Sequence, residues 1–424
     1  MISALILNYG APTDELQRCV DSVLASTGLD SDAPARLQEV VIVDNASPQN
    51  REAPAVVARR ANAVSAERAD RAGVTVRVVQ LGHNWGFAGG INRGLATIDP
   101  TTDWVFLLNN DAWVEPDCLA QAARVASAQL SACVSVAPKM LLANHPHHLD
   151  AVGNCINDRG EAWNIGIGQL DVGQYDRTER SFGPCFGAAL IRRTAFEQDR
   201  VGLLDESLFL YYEDVDWNWR ATLRGLHSVT APLARVHHTL SGSTRHLNYS
   251  FKFRLQERNL LLVCAKNFTA RRAMSIWRKR SAGHLRGALT GHFPLASLQA
   301  SAGAWARIPF LVKNRRAAQT DRVCSDEDVI RFSAGERPFI DAITYEPERS
   351  LAALGHAYRR RAALIGDRDA LAISEMCAAL ESTASRSLSE DLTSERLLPL
   401  LEREPAYVHE YVGLLPKGKP QRSG

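Results

Sequence analysis

No two cysteines in this sequence stand close enough to make a Cys-x-x-Cys pair or a zinc-finger spacing, although eight are present. That excludes the usual structural zinc modules, and scattered single thiols are what a reduced, cytosolic protein carries. Also missing is any uninterrupted apolar run of the roughly 18–20 residues that a spanning helix needs, so membrane contact is expected to be peripheral. Met1 leads straight into the apolar stretch 2–7 without a basic segment or a small-residue cleavage site, which argues against a secretory signal. There is little excess charge, +2 overall, and the 46% hydrophobic and 23% charged composition excludes a disordered or fibrous chain.

What is present is room: 424 residues suffice for one large α/β domain and an appendage. In the first part, short β-rich runs alternate with helical stretches, predicting a Rossmann-like, mainly parallel sheet with helices on both faces. Strands are expected at 3–8, at 40–43 ending in Asp44, at 74–80 and at 103–108. A helix over 14–26 carries Leu16, Cys19, Val20, Val23 and Leu24 on one stripe. Polar residues gather where the strands stop, and in open α/β sheets ligands sit beyond those ends. After Pro138 the pattern turns irregular, with Gly153, Gly160, Gly166, Gly168 and Gly173 marking loops and short strands. From about Leu255 helical signals dominate. The expected organisation is a catalytic domain at 1–254, a basic helical segment at 255–322 and a helical tail at 323–424, without internal repeats.

Five segments carry groups suited to chemistry. Residues 82–94 hold five glycines in thirteen positions and then run into a helix. Such a stretch either brings backbone amides close to a phosphate or makes a tight turn. Its spacing does not fit the dinucleotide fingerprint. Asp111, after an apolar strand, suits a divalent cation or a helix cap, and Asp44 followed by Asn45 suits a ligand or a turn. At 211–220, Glu213, Asp214 and Asp216 crowd among large aromatics, as helix-start charges or as a proton acceptor beside an aromatic sugar platform. His238 follows another apolar run and could join Asp111 at a metal, whereas His145, His147 and His148 read as packed or solvated.

Together these segments resemble family 2 glycosyltransferases of the GT-A fold, particularly the rhamnosyltransferase-like branch that builds bacterial surface polysaccharides. The resemblance runs from Ile2 to Asn259 through Asn8-Tyr9, Val43-Asp44-Asn45-Ala46-Ser47, Asn84-Trp85-Gly86-Phe87-Ala88-Gly89-Gly90-Ile91-Asn92, Leu108-Asn109-Asn110-Asp111, Gly202-Leu203-Leu204-Asp205-Glu206, Glu213-Asp214-Val215-Asp216 and Ala234-Arg235-Val236-His237-His238, in the family's order. It implies an inverting transferase acting on a nucleotide-diphosphate sugar. Asp44 would contact the nucleoside, and Asn84, Gly86 and Asn92 would line the nucleotide pocket, with Asn8, Phe87 and Asn110 beside them. Asp111 and His238 would hold Mg²⁺ or Mn²⁺. Asp214 would be the base, with Glu213 as its neighbour. Asn109 and Asn110 depart from the carboxylates of many relatives and supply no anionic charge to the metal. The branch points to deoxythymidine-diphosphate rhamnose, with a uridine-diphosphate galactose or galactofuranose next.

Between residues 251 and 320, fourteen Lys or Arg stand against the single acid Glu257, a block of +13. With Trp277, Phe293, Trp305, Phe310 and Leu311 interleaved, it suits an anionic membrane on the cytoplasmic side and a glycan or lipid-linked acceptor. Packing on the catalytic domain, or a homodimer through these helices, would account for it equally. No nucleic-acid motif accompanies it. Two other functions compete. A nucleotidyltransferase requires a basic glycine-rich loop after the first strand, which residues 8–12 lack. A sugar-nucleotide-binding protein without catalysis would not need Asp214.

Overall fold

The computed structural model describes residues 1–29, 36–67, 73–143, 145–167, 171, 175–239, 248–291 and 294–333. The tail expected beyond 333, Asn144, Gly168, Gly173 and Phe293 lie outside the described residues, as do the side chains of His145, His147 and Phe310.

Four parallel strands form one side of the ten-stranded central sheet: β1 (Ile2–Asn8), β2 (Leu37–Asp44), β3 (Thr75–Gln80) and β4 (Trp104–Asn109), in the spatial order β3-β2-β1-β4. Between them run α1 (Thr13–Leu24), α2 (Ala53–Glu67) and α3 (Gly86–Leu95). The strands are apolar on both faces because each face meets helices, as a parallel sheet requires. Alternate residues sort accordingly. Ile2, Ala4, Ile6, Val40, Ile42 and Phe106 pack with Leu16, Val20, Val23 and Val57 of α1 and α2. Leu5, Val41, Val43, Val105 and Leu107 pack on the other side with Ala88 and Ile91 of α3. The stripe expected on α1 is buried at all five positions.

The sheet is extended by β5 (Ala112–Val114), β6 (Cys133–Leu142), β7 (His145–Ala151), β10 (Arg180–Ser181), β11 (Ala188–Arg192) and β12 (His227–His238), while β8 (Asn154–Ile156) and β9 (Ala162–Asn164) pair separately. β11 is antiparallel to β4 and β6, and β12 is parallel to β6, so the sheet is mixed but mostly parallel. Helix α4 (Cys118–Ser127) covers the face shared with α1. β6 runs through Pro138 for ten wholly buried residues, and beyond it come the expected loops and short strands, β8 and β9 of three residues each and β10 of two. The proline is accommodated by a register slip between Ala231 and Arg235 of the partner strand, which meets its missing N–H with an irregular ladder.

Helix α5 (Glu213–Leu223) is sandwiched. Trp217 faces the sheet, and Trp219 faces a third core built by α6 (Tyr249–Asn267), α7 (Ala270–Leu289), α8 (Pro294–Trp305) and α10 (Asp326–Ser333). α9 (Ile308–Thr320) closes this helical layer. Trp219 meets Phe268 edge-on at 4.4 Å. Among the described residues, no helix is long and apolar enough to cross a membrane.

Candidate functional site

The polar ends of β1, β2 and β4 converge as a hydrogen-bonded row. Asn110 donates to Asn8 Oδ1 at 3.1 Å, and Asn8 donates to Asp44 Oδ1 at 2.9 Å. Asp44, fully buried, also accepts from Ser47 and Gln80. Beside it Asn45 ties the glycine-rich segment in place. Its amide donates to Asn84 Oδ1 at 3.0 Å and to the Gly86 carbonyl at 2.9 Å, and its Oδ1 accepts from Trp85 N at 2.9 Å.

Gly86 opens α3 at φ +72, where a Cβ would lie 2.3 Å from the Phe209 carbonyl oxygen. Phe87 N donates to that same oxygen at 2.6 Å. At Gly90 and Gly94 a Cβ would strike Leu7, Leu5 and Val43, so these glycines press α3 onto the sheet. Asn92, 7% exposed, is occupied in fastening residues 204–206: it donates to the Leu204 carbonyl at 2.9 Å and to Glu206 at 3.0 Å.

Asp111, at the turn after β4, and His238, last in β12, are brought together although 127 positions separate them: Asp111 Oδ1 lies 3.3 Å from His238 Nε2. Pairing of β12 with β5 sets this, since His238 stands opposite Ala112. The other ring nitrogen, Nδ1, lies 2.7 Å from Asp150 Oδ2. Burial lowers the imidazole's proton affinity, but the charges and hydrogen bonds of Asp111 and Asp150 outweigh it and push the pKa up to about 10.

One carboxylate oxygen and one imidazole nitrogen, 3.3 Å apart, fit two adjacent ligands of a divalent cation, each at about 2.0–2.2 Å. Carboxylate with imidazole suits Mg²⁺ or Mn²⁺ with the remaining positions left to phosphate and water. Asp150 acts on the far side of the ring, the place of a carboxylate that orients a metal-binding histidine.

Asp214 is half-buried in the first turn of α5. Its Oδ2 accepts from Asn154 Nδ2 at 2.8 Å and from Phe186 N at 3.4 Å. Burial raises its pKa against these hydrogen bonds. Glu213 is raised further, first by burial and then by the charge of Asp214, and its Oε2 is buried without a hydrogen-bond partner. The Cys185 thiol is pushed up by burial and then by Asp214, Asp150 and Glu213. Residues 186 and 187 link the two halves of the site: Phe186 N donates to Asp214, and the Gly187 carbonyl accepts at 2.9 Å from Asn109 N, whose side-chain Nδ2 lies 3.4 Å from His238 Nε2.

Asp216 lies apart from them, fully buried and neutralised by Arg220 at 3.0 Å and Lys266 at 2.7 Å. The aromatic sugar platform expected at 211–220 is largely absent. Trp217 and Trp219 are fully buried core residues, and Tyr212 donates to the Gly160 carbonyl at 3.3 Å.

The loop before α5 is strained: Phe209, Tyr211 and Tyr212 take φ values of 67°, 70° and 70°, at about 1–3 kcal/mol each. Sequence reasoning passed over Asp150, Asn154, Cys185 and the supports of this loop. None stands in a motif of its own, and only their partners across the fold mark them.

Residues 3–199 match the family model described as Glycosyl transferase family 2. The matched stretch holds Asn8, Asp44, Asn84, Asn92, Asp111 and Asp150, and ends before Asp214 and His238. No curated protein matches the chain. Among solved structures it is similar to GalNAc-T7 with UDP, GalNAc and Mn²⁺, at TM-score 0.50 and 13% identity over 74% of this chain. The chain spans 57% of the length of that one. It is also similar to the mannosyltransferase PcManGT from Pyrobaculum calidifontis in complex with GDP-Man and Mn²⁺, at TM-score 0.41 and 15% identity, over 92% of this chain and 87% of that one. The mixed, mostly parallel sheet covered on both faces is the GT-A fold.

Proposed function

We propose, on the premise of the GT-A fold and the family 2 match, that this chain is an inverting glycosyltransferase that moves a sugar from a nucleoside-diphosphate donor to an acceptor hydroxyl. The observation that carries it is the pairing of Asp111 with His238 beyond the strand ends, with Asp214 held by Phe186 N next to Gly187, whose carbonyl accepts from Asn109 N. Asn8, Asp44, Asn84, Gly86, Phe87, Asn92 and Asn110 form the donor side. Asp214 takes the proton from the acceptor hydroxyl as its oxygen bonds to the anomeric carbon. The bond from that carbon to the diphosphate breaks on the opposite face, which inverts the centre in one displacement. Burial raises the Glu213 carboxyl more strongly than that of Asp214, which favours Asp214 as the anion of the pair. Asp111 and His238 would hold Mg²⁺ or Mn²⁺, which when bound would supply Lewis-acid stabilisation of the departing diphosphate.

Deoxythymidine-diphosphate rhamnose is the donor proposed from the resemblance, and a uridine-diphosphate galactose or galactofuranose is the alternative. Thermal-shift measurement against a panel of nucleotide sugars with Mn²⁺ identifies the donor by selective stabilisation. Asp214→Asn tests the chemistry: turnover should fall by roughly 10²–10⁴ with donor affinity retained. An unchanged turnover would remove Asp214 as the base.

The acceptor is proposed to be a glycan or lipid-linked saccharide at an anionic membrane, as in surface polysaccharide synthesis. The outer side of α7 exposes Arg271, Arg278, Lys279 and Arg286 beside Met274, Leu285 and Leu289, a pattern of cations and apolar side chains that suits anionic headgroups over acyl chains. Other cations of the block are spent internally, as Lys266 is on Asp205 and Arg280 on Glu257. Flotation with anionic liposomes at low salt should carry the protein upward, and failure to co-float would remove this part of the reading.

A further inference from the structure

The strained loop that delivers Asp214 has little support from its own side chains: Tyr212, at the N-cap of α5, makes no side-chain capping bond. Its support comes from α6. Asn259, fully buried, directs Nδ2 at three carbonyls, those of Leu208 at 2.9 Å, Leu210 at 2.8 Å and Tyr211 at 2.7 Å. Its Oδ1 accepts from Arg258 Nε at 2.8 Å, and Arg258 Nη2 donates to the Leu208 carbonyl at 2.7 Å. On the opposite side the Phe209 carbonyl accepts from Phe87 N at 2.6 Å. The loop is therefore gripped by α6 on one side and by the glycine-rich segment on the other, and Asp214 follows three residues after its last gripped peptide.

Positive φ at three non-glycine residues persists only where the surroundings hold it. Carbonyls facing inward also cost stability unless a donor meets them. A hydrophobic residue at 259 would leave both conditions unmet without disturbing the sheet. We propose that Asn259 is a positioning residue for transfer, fixing the 208–211 backbone so that the first turn of α5 presents Asp214 to the cleft. It touches neither substrate nor metal and acts through the loop. The inference rests on the reading of Asp214 as the base, and it places a requirement of the reaction on a helix beyond residues 3–199, the stretch that matches the family model.

Asn259→Leu, close in size but without donors, is compared with Val263→Ala, a fully buried packing change on the same helix. Asn259→Leu should lower kcat at least about tenfold with donor KM within about threefold. Val263→Ala, even with an equal loss of Tm, should keep kcat within about twofold. Hydrogen exchange at the Asp216 amide, which donates to the Tyr212 carbonyl at 2.8 Å, should speed up in Asn259→Leu alone. Where Asn259→Leu does not accumulate, Asn259→Ser gives the same readings with a smaller change. Wild-type kcat in the Asn259 variant, an equal kcat loss in Val263→Ala, or unchanged exchange each overturns the proposal. Absence of transfer by the wild-type protein would instead sink the reading of the site, and the exchange measurement would still decide the grip.

Discussion

His238 and Asp150, 88 positions apart in the chain, meet at 2.7 Å through Nδ1 and Oδ2. A carboxylate there fixes the ring orientation, so that Nε2 faces Asp111. Asp150→Asn retains size but gives up the charge, and Mn²⁺ affinity should fall by about 10–100-fold. Calorimetric or spin-resonance titration of Mn²⁺ in the presence of the nucleoside diphosphate measures it without turnover. Affinity equal to wild type would show that Asp150 does not tune the imidazole.

The Glu213–Asp214 pair should make activity and stability respond to pH in opposite senses. Asp214 must be ionised to accept a proton, and burial raises its pKa above 3.8, with Glu213 beside it on α5 and Asn154 Nδ2 and Phe186 N donating to it. The acid limb of kcat/KM is therefore expected above the ordinary aspartate range. Glu213 is raised above its unfolded value of 4.5, so its contribution to stability is present below that pH and is lost as pH rises through the folded value. The loss is at most about 1.4 kcal/mol per pH unit. Glu213→Gln has no proton to lose there, and urea midpoints should show it gaining on wild type from acid to neutral pH.

Gly86 is irreplaceable on two counts. Its φ of +72 is costly for any other residue, and a Cβ would lie 2.3 Å from a backbone oxygen that cannot swing away. Gly86→Ala should cost more than about 2 kcal/mol and loosen the Phe209 loop. A thermal melt within a degree or so of wild type would contradict it.

Lys266 bridges Asp205 at 2.6 Å and Asp216 at 2.7 Å in the interior, binding α6 to α5 and to the 205–208 turn. Removing it leaves buried Asp205 without its cation and Asp216 with Arg220 alone, so Lys266→Ala should cost about 3–5 kcal/mol in chemical denaturation. Asp205 is raised by burial, but Lys266 and Ser207 more than offset this and hold it below 3.8. Its stabilisation is thus present above that pH and is lost as pH falls through the folded value, and the variant should lose that acid dependence.

The strands at 40–43 and 103–108 and the stripe on α1 were legible in the residues because a parallel strand covered on both faces reads as a short continuous apolar run, while a helix buries every third or fourth residue. The resemblance added Asp111, His238 and Asp214 as a set, although each alone reads equally well as a cap, a packed ring or a helix-start charge. Trp217 and Trp219 show where local reading failed. Aromatics beside carboxylates resemble a sugar platform, and only packing against Phe186, Phe196 and Phe268 identifies them as core.

By itself the sequence determined the alternating strands and helices, the polar strand ends and the types of groups available there, since these follow from short-range periodicity and side-chain chemistry. The tertiary structure decided that Asp111 meets His238 with Asp150 behind it, that Asn154 holds Asp214, and that Asn259 grips the loop before α5. Such pairings join residues tens to over a hundred positions apart, and no local spacing encodes them. They exist only once strand register and helix docking have fixed where each side chain ends.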